Sequence, residues 1–264
     1  MSSTTIDSLV DFITLTEDIG ALSNLMLFRG QSVRGRLLPG IARAKPTKNT
    51  ERVERTMLDQ LRLQGASLLG DAAESDLDVM IKAQHFGMKT RLLDWTSNPL
   101  AALWFACVDQ LEGDTYVYAL EADDLLDNDV YKKSPFSTAR TRVIQPRLNN
   151  ARVQSQHGWF TLHRYSSQAK RFVALDVNPQ VKGHVHEVHV PEDARRTIRH
   201  ALDRVGVTSS TLFPDLPGLC ASQLEASCGL TSRCSRRCIG AWARRQVQLA
   251  TWPNHRYNAA ELWC

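Results

Sequence analysis

The chain has no long apolar run, no Cys-x-x-Cys pair, no internal repeat and almost no net charge outside its C-terminal end. None of its 264 residues fall in a stretch approaching the ~20 apolar residues of a membrane-spanning helix. Met1-Ser2-Ser3-Thr4-Thr5 lacks the basic and apolar regions of a secretory leader. The expectation is a cytoplasmic chain without a membrane partner. The lack of repeats and heptads argues against solenoids and coiled coils. The formal charge of +4 is concentrated at the end: from Ala226 onward six arginines face Glu261 alone, which leaves the first 225 residues at −1. A near-neutral body does not favour a broad nucleic-acid groove, because phosphate binding depends on clustered Lys and Arg. Cys228, Cys234 and Cys238 lie near His255 but lack the usual zinc spacing, so they and the solitary Cys107 are expected to be free thiols and no metal is expected.

Periodicity predicts an amphipathic helix over Ile6–Ile19, a buried strand over Leu25–Phe28, and a loop from Arg34 to Asn49. It predicts one long helix over Glu51–Leu69 and another over Leu77–Phe86 that stops at Gly87. Asn98 and Pro99 have the chemistry of an N-cap and a first helical residue, opening a helix to about Gln110. Strands are expected at Thr115–Leu120, Arg142–Ile144, Trp159–His163, Arg171–Val177 and His184–Val190, followed by a helix over Pro191–Val205. Helices first and strands mostly later give an α+β domain with a mixed, mostly antiparallel sheet rather than a doubly wound one. The expected division is an N-terminal helix (1–24), a main domain (25–225) and an Arg/Cys/Trp-rich tail (226–264). That tail is either a divergent C-terminus or the product of a shifted reading frame. His184, His186 and His189 suggest a metal, but a solvated strand face accounts for them better.

Four blocks carry unusual polar residues beside glycines: Leu27-Phe28-Arg29-Gly30-Gln31-Ser32 with Leu38–Arg43; Ala83-Gln84-His85-Phe86-Gly87 through Arg91-Leu92-Leu93-Asp94-Trp95-Thr96 to Ala106; Arg152 with Gln156, Gly158 and Phe160; and Thr211–Leu216. Arg29 ends an apolar strand and is followed by glycine, so its guanidinium is placed to face a cleft where backbone comes close to a ligand. A guanidinium suits bidentate contact with phosphate or carboxylate. Gln84, His85, Arg91 and Asp94 supply a neutral donor, a base, a second cation and an acid around one turn. Thr96 and Ser97 precede a helix N-terminus, which favours an anion. Each residue also has a structural reading: Arg29 pairing with Asp94 or Asp215, His85 closing its helix, Asp94 bonding local backbone, and Trp95, Trp104 and Phe105 serving as core. A shared pocket of Arg29, Gly30, Gln31, Gln84, His85, Arg91, Asp94, Thr96, Ser97 and Gln156 explains them with one assumption, since every buried polar group needs a partner.

From about Leu25 to Leu219 these blocks, in this order, resemble the bacterial FRG-domain family, named for the Phe-Arg-Gly of the first. Members often lie near mobile elements and defence genes, so the resemblance implies a role in bacterial defence. Phe28-Arg29-Gly30 and Trp95-Thr96-Ser97 are more distantly similar to the ADP-ribosyltransferase superfamily. That likeness implies NAD as substrate, with Arg29 on its diphosphate and Thr96 and Ser97 shaping the nicotinamide pocket. It further implies ADP-ribosyl transfer or NAD hydrolysis; the residues read here as catalytic candidates are His85, Asp94 and Gln156. The Glu-x-Glu of that superfamily is missing, although Glu187 lies on a late strand. Two non-enzymatic readings stand beside it: a nucleotide or nucleic-acid binding module, and a protein-interaction domain whose motifs serve the fold.

Overall fold

The computed structural model describes residues 2–21, 23–69, 75–109, 112–147 and 150–230. Among the described residues nine strands are β1 (Ser2–Thr5), β2 (Met26–Gln31), β3 (Leu92–Thr96), β4 (Thr115–Glu121), β5 (Arg142–Ile144), β6 (Gly158–Leu162), β7 (Tyr165–Ser166), β8 (Arg171–Phe172) and β9 (Val185–Val190). The helices are α1 (Leu9–Gly20), α2 (Gly40–Arg43), α3 (Glu51–Gln64), α4 (Ala66–Leu69), α5 (Asp76–His85), α6 (Pro99–Cys107), α7 (Ala151–Ser155), α8 (Glu192–Arg204), α9 (Ser209–Leu212) and α10 (Leu216–Leu230). Seven strands form one mixed sheet in the order β1-β9-β4-β2-β3-β6-β5, antiparallel throughout except for the β1–β9 pair. The fold is a single α+β domain.

Alternation along the strands gives the sheet two different faces. One carries Phe28, Val117, Ala119 and Val188 against α1, α6 and α8, and Leu92, Phe160 and Leu162 against α3 and α5. The other carries Leu27, Trp95, Tyr118, Leu120 and Val185 under Leu37, Leu125, Leu175 and Val181. α6 is nearly all buried because it lies flat on the sheet, with Ala101, Ala102, Leu103, Trp104 and Ala106 at zero exposure. Asn98 caps it, accepting from the Leu100 and Ala101 N–H groups at 3.0 and 3.3 Å, with Pro99 in its first turn.

Several elements differ from the periodicity. The helix expected over Glu51–Leu69 breaks at Gly65 into α3 and α4, at the residue with least preference for helix after proline. The strand expected over Arg171–Val177 is only two residues long, because the chain turns into a single 3₁₀ turn at Leu175–Val177. β1 has no apolar alternation to announce it. Ser2 and Thr5 are held instead by His186 Nδ1 at 2.9 Å and His189 Nδ1 at 3.2 Å. His184 and His186 both bond Glu121, at 2.9 and 2.7 Å, while His189 bonds Asp114 at 2.8 Å. Among the described residues no group of His, Cys, Asp or Glu is arranged to hold a metal. Cys107 is a free, buried thiol pushed by burial up to about 12, and Cys220 is free and exposed. Cys234, Cys238 and His255 of the tail lie outside the described residues.

Candidate functional site at the seam between β2 and β3

β2 pairs with β4 over six residues but meets β3 at one register position, Phe28 opposite Thr96. Past that point the two strands part. Arg29 fills the seam, its Nη1 donating to the Asp94 carbonyl oxygen at 2.8 Å in place of a backbone partner. The Asp94 carboxylate is 3.8 Å from the same nitrogen, beyond hydrogen-bond reach. Arg29 is 4% exposed, and its Nε and Nη2 have no partner among the described residues. An ion left this far from water is costly unless its donors are used. Burial pulls the guanidinium down to about 10; Asp94 opposes that shift and nearby Arg43 adds to it.

Asp94 is the centre of a small polar group. Its Oδ1 accepts from Gln84 Nε2 at 2.8 Å, and Gln84 Oε1 in turn accepts from the Thr90 hydroxyl. With about a third of its side chain exposed, Asp94 is where this buried chain reaches solvent. Arg43, at the end of α2, feels Asp94 as well; burial lowers its pKa and Asp94 raises it. Burial and then Arg152 hold His85 below the ordinary histidine value, against Asp94 and Asp215. These surroundings favour the neutral imidazole. On the far side, Trp95 Nε1 donates to Thr161 Oγ1 at 3.0 Å, and Thr161 shares a 3.0 Å hydrogen bond with His163 Nε2. His163 is 1% exposed, its Nδ1 has no partner among the described residues, and burial lowers its pKa to about 3, with Arg29 and Arg91 adding.

The structure thus brings together Arg29, Gln84 and Asp94 by direct contact, with His85 within their electrostatic reach. Other expected members are engaged elsewhere. Arg91 is 2% exposed and forked onto Glu54 of α3, with Nε and Nη2 at 3.1 and 3.0 Å from its carboxylate and its guanidinium 4.3 Å above the Phe136 ring. Gln156 Nε2 donates to the Leu212 carbonyl at 3.0 Å. The Thr96 hydroxyl donates to the Gln156 carbonyl at 2.6 Å and accepts from Asn98 N at 2.9 Å, and Ser97 N donates to His157 O at 3.1 Å. Gly30 was expected to let a ligand approach the backbone; α6 occupies that space, and a Cβ there would lie 2.5 Å from Ala106 N. Gln31 is buried two residues on along the same strand.

The family model of the FRG domain matches residues 24–115, which run from two residues before β2 to the first residue of β4. That segment of the chain is similar to the FRG domain. No curated protein and no solved structure matches the chain. The FRG match contains the whole Arg29–Gln84–Asp94 group together with Arg43, His85 and Arg91. Arg152, His163 and Asp215 lie beyond it yet close around it: Arg152 Nε donates to Asp215 Oδ2 at the start of α10, and both charges act on His85. Arg43 and Arg152 stand in the first and third motif blocks, but nothing local in those blocks ties their charges to the seam. His163 carried no sequence signal, because its place depends on the β3–β6 register, Leu93 opposite Thr161.

Proposed function

We propose that the β2–β3 seam binds a nucleotide-like ligand by its anionic group, with Arg29 as principal donor. The observation that carries this reading is the buried Arg29 guanidinium with two N–H-bearing nitrogens unused. A phosphate or carboxylate oxygen pair is the partner whose geometry fits such a fork. The reaction to test first is ADP-ribosyl transfer from NAD, or NAD hydrolysis, in a bacterial defence role. It is supported by the pairing of Phe28 with Thr96, which makes neighbours of the two segments similar to ADP-ribosyltransferases. In that reaction Arg29 holds the diphosphate while the bond between ribose C1′ and the nicotinamide nitrogen breaks, its electron pair leaving with nicotinamide. Asp94 is the carboxylate at hand for the oxocarbenium-like centre. Water or an acceptor nucleophile then bonds to C1′, and neutral His85 takes its proton. Glu187 is two strands away on β9, fixed by Arg34 at 2.9 and 3.1 Å.

Incubating the full chain with NAD labelled in the adenylate, with and without cell lysate, tests the reading. Nicotinamide release or label transfer is expected. Arg29→Met is expected to weaken NAD binding about 100-fold, the scale of losing charge-assisted hydrogen bonds. Binding without any product identifies a non-catalytic nucleotide module. Failure to bind NAD, ADP or pyrophosphate contradicts the reading altogether.

A further inference from the structure

The Phe86 side chain lies in the second motif block but packs into neither the core nor the seam. It is 78% exposed, next to His85 and two residues from Gln84, both of which belong to the polar group. An isolated exposed apolar side chain needs no explanation by itself. This one differs in how it is held. It is the C-cap of α5, in a Schellman turn: Met88 N donates to Ala83 O at 2.9 Å, Gly87 N donates to Gln84 O at 2.9 Å, and Gly87 takes φ +93°. The backbone under Phe86 is therefore fixed on both sides. Its ring stands edge-on to His85, with centroids 5.4 Å apart and planes at 89°, so the imidazole occupies only one side of it.

We infer that Phe86 is the platform on which the planar ring of the ligand stacks when its anionic group is bound by Arg29. The inference rests on the anion-binding reading of the seam and narrows its ligand to molecules that join an aromatic ring to a phosphate. Contacts link the two ends: the Phe86 ring meets His85, its neighbour Gln84 donates to the Asp94 carboxylate, and the Asp94 carbonyl accepts from Arg29. A nucleotide laid along that line places its base on an aromatic face at the surface and its charge where no other partner reaches. Stacking tolerates any flat ring, so the platform selects for a ring without choosing among bases.

Affinities of the full chain for ADP and for pyrophosphate, measured by calorimetry with the native protein, Phe86→Ala and Phe86→Trp, test this. The native protein is expected to bind ADP about tenfold more tightly than pyrophosphate, as one base–aromatic stack provides. Phe86→Ala should lose that advantage, with pyrophosphate affinity and melting temperature unchanged, and Phe86→Trp should keep it. An ADP affinity within twofold of native in Phe86→Ala overturns the platform while leaving the Arg29 reading intact. Loss of pyrophosphate binding along with ADP in Phe86→Ala overturns it too, because the side chain would then be shaping the anion site. If neither probe binds the native protein, the anion reading fails and the platform fails with it.

Discussion

Glu54→Ala is expected to lower the melting temperature by about 10 °C, through a loss of about 3–5 kcal/mol. Glu54 and Arg91 are each 2% exposed, and the carboxylate satisfies more than its ion pair. Its Oε2 accepts from both the Arg91 backbone N–H and Nε, at 3.1 Å each; its Oε1 accepts from Arg91 Nη2 at 3.0 Å and from the Thr50 hydroxyl at 2.7 Å. Truncation leaves a buried cation, a backbone donor and a hydroxyl without a partner, and none can turn to water. The paired change Glu54→Leu with Arg91→Met should recover most of the loss, because it removes the charge along with its partner. Thermal and denaturant unfolding of the three proteins measures the coupling. A loss below about 1 kcal/mol for Glu54→Ala would mean that the pair is far more hydrated than its burial indicates.

Gly30→Ala is expected to cost about 3 kcal/mol or more and to abolish the ligand binding proposed for the seam. The added methyl would overlap the Ala102 carbonyl and sit 2.5 Å from Ala106 N, and both are backbone atoms of α6. No side-chain truncation on the helix makes room, so α6 has to lift from β2. Lifting it shifts Arg29, the preceding residue, away from the Asp94 carbonyl. Ala102→Gly combined with Gly30→Ala should therefore be no more stable than Gly30→Ala alone. Rescue by that second change would show that the contact is side-chain packing and that the helix is free to adjust.

Much of the framework was legible in the sequence because local chemistry determines it. The Asn98-Pro99 start of α6 and the Arg142–Ile144 strand stand where capping and β-branched composition put them. β1 was not legible, because two of its four exposed hydroxyl residues are anchored by histidines more than 180 residues away. At the site, the first and second motif blocks do meet at Asp94, yet sequence distance said nothing of which polar groups would find other partners. Arg91 and Asp94 are three residues apart, but one turns to α3 and the other faces the seam. The meaning of Gly30 also depended on tertiary structure: a glycine beside an arginine fits equally well under a ligand or under a helix, and only the placement of α6 decides. Arg29 could be read as a structural ion pair with Asp94, but at 3.8 Å from that carboxylate and with Nε and Nη2 unused it is poorly satisfied as one.

The central claim is that Arg29 is kept buried and under-bonded for an anion rather than for the fold. Arg29→Met keeps the volume of the side chain's stem and removes the charge, so the melting temperature of the ligand-free protein tests the claim most directly. The account predicts a value equal to that of the native protein or higher by a few degrees, because the desolvated guanidinium costs more than its single 2.8 Å hydrogen bond returns. A fall of about 10 °C, on the scale expected for Glu54→Ala, would contradict it and make Arg29 a structural residue.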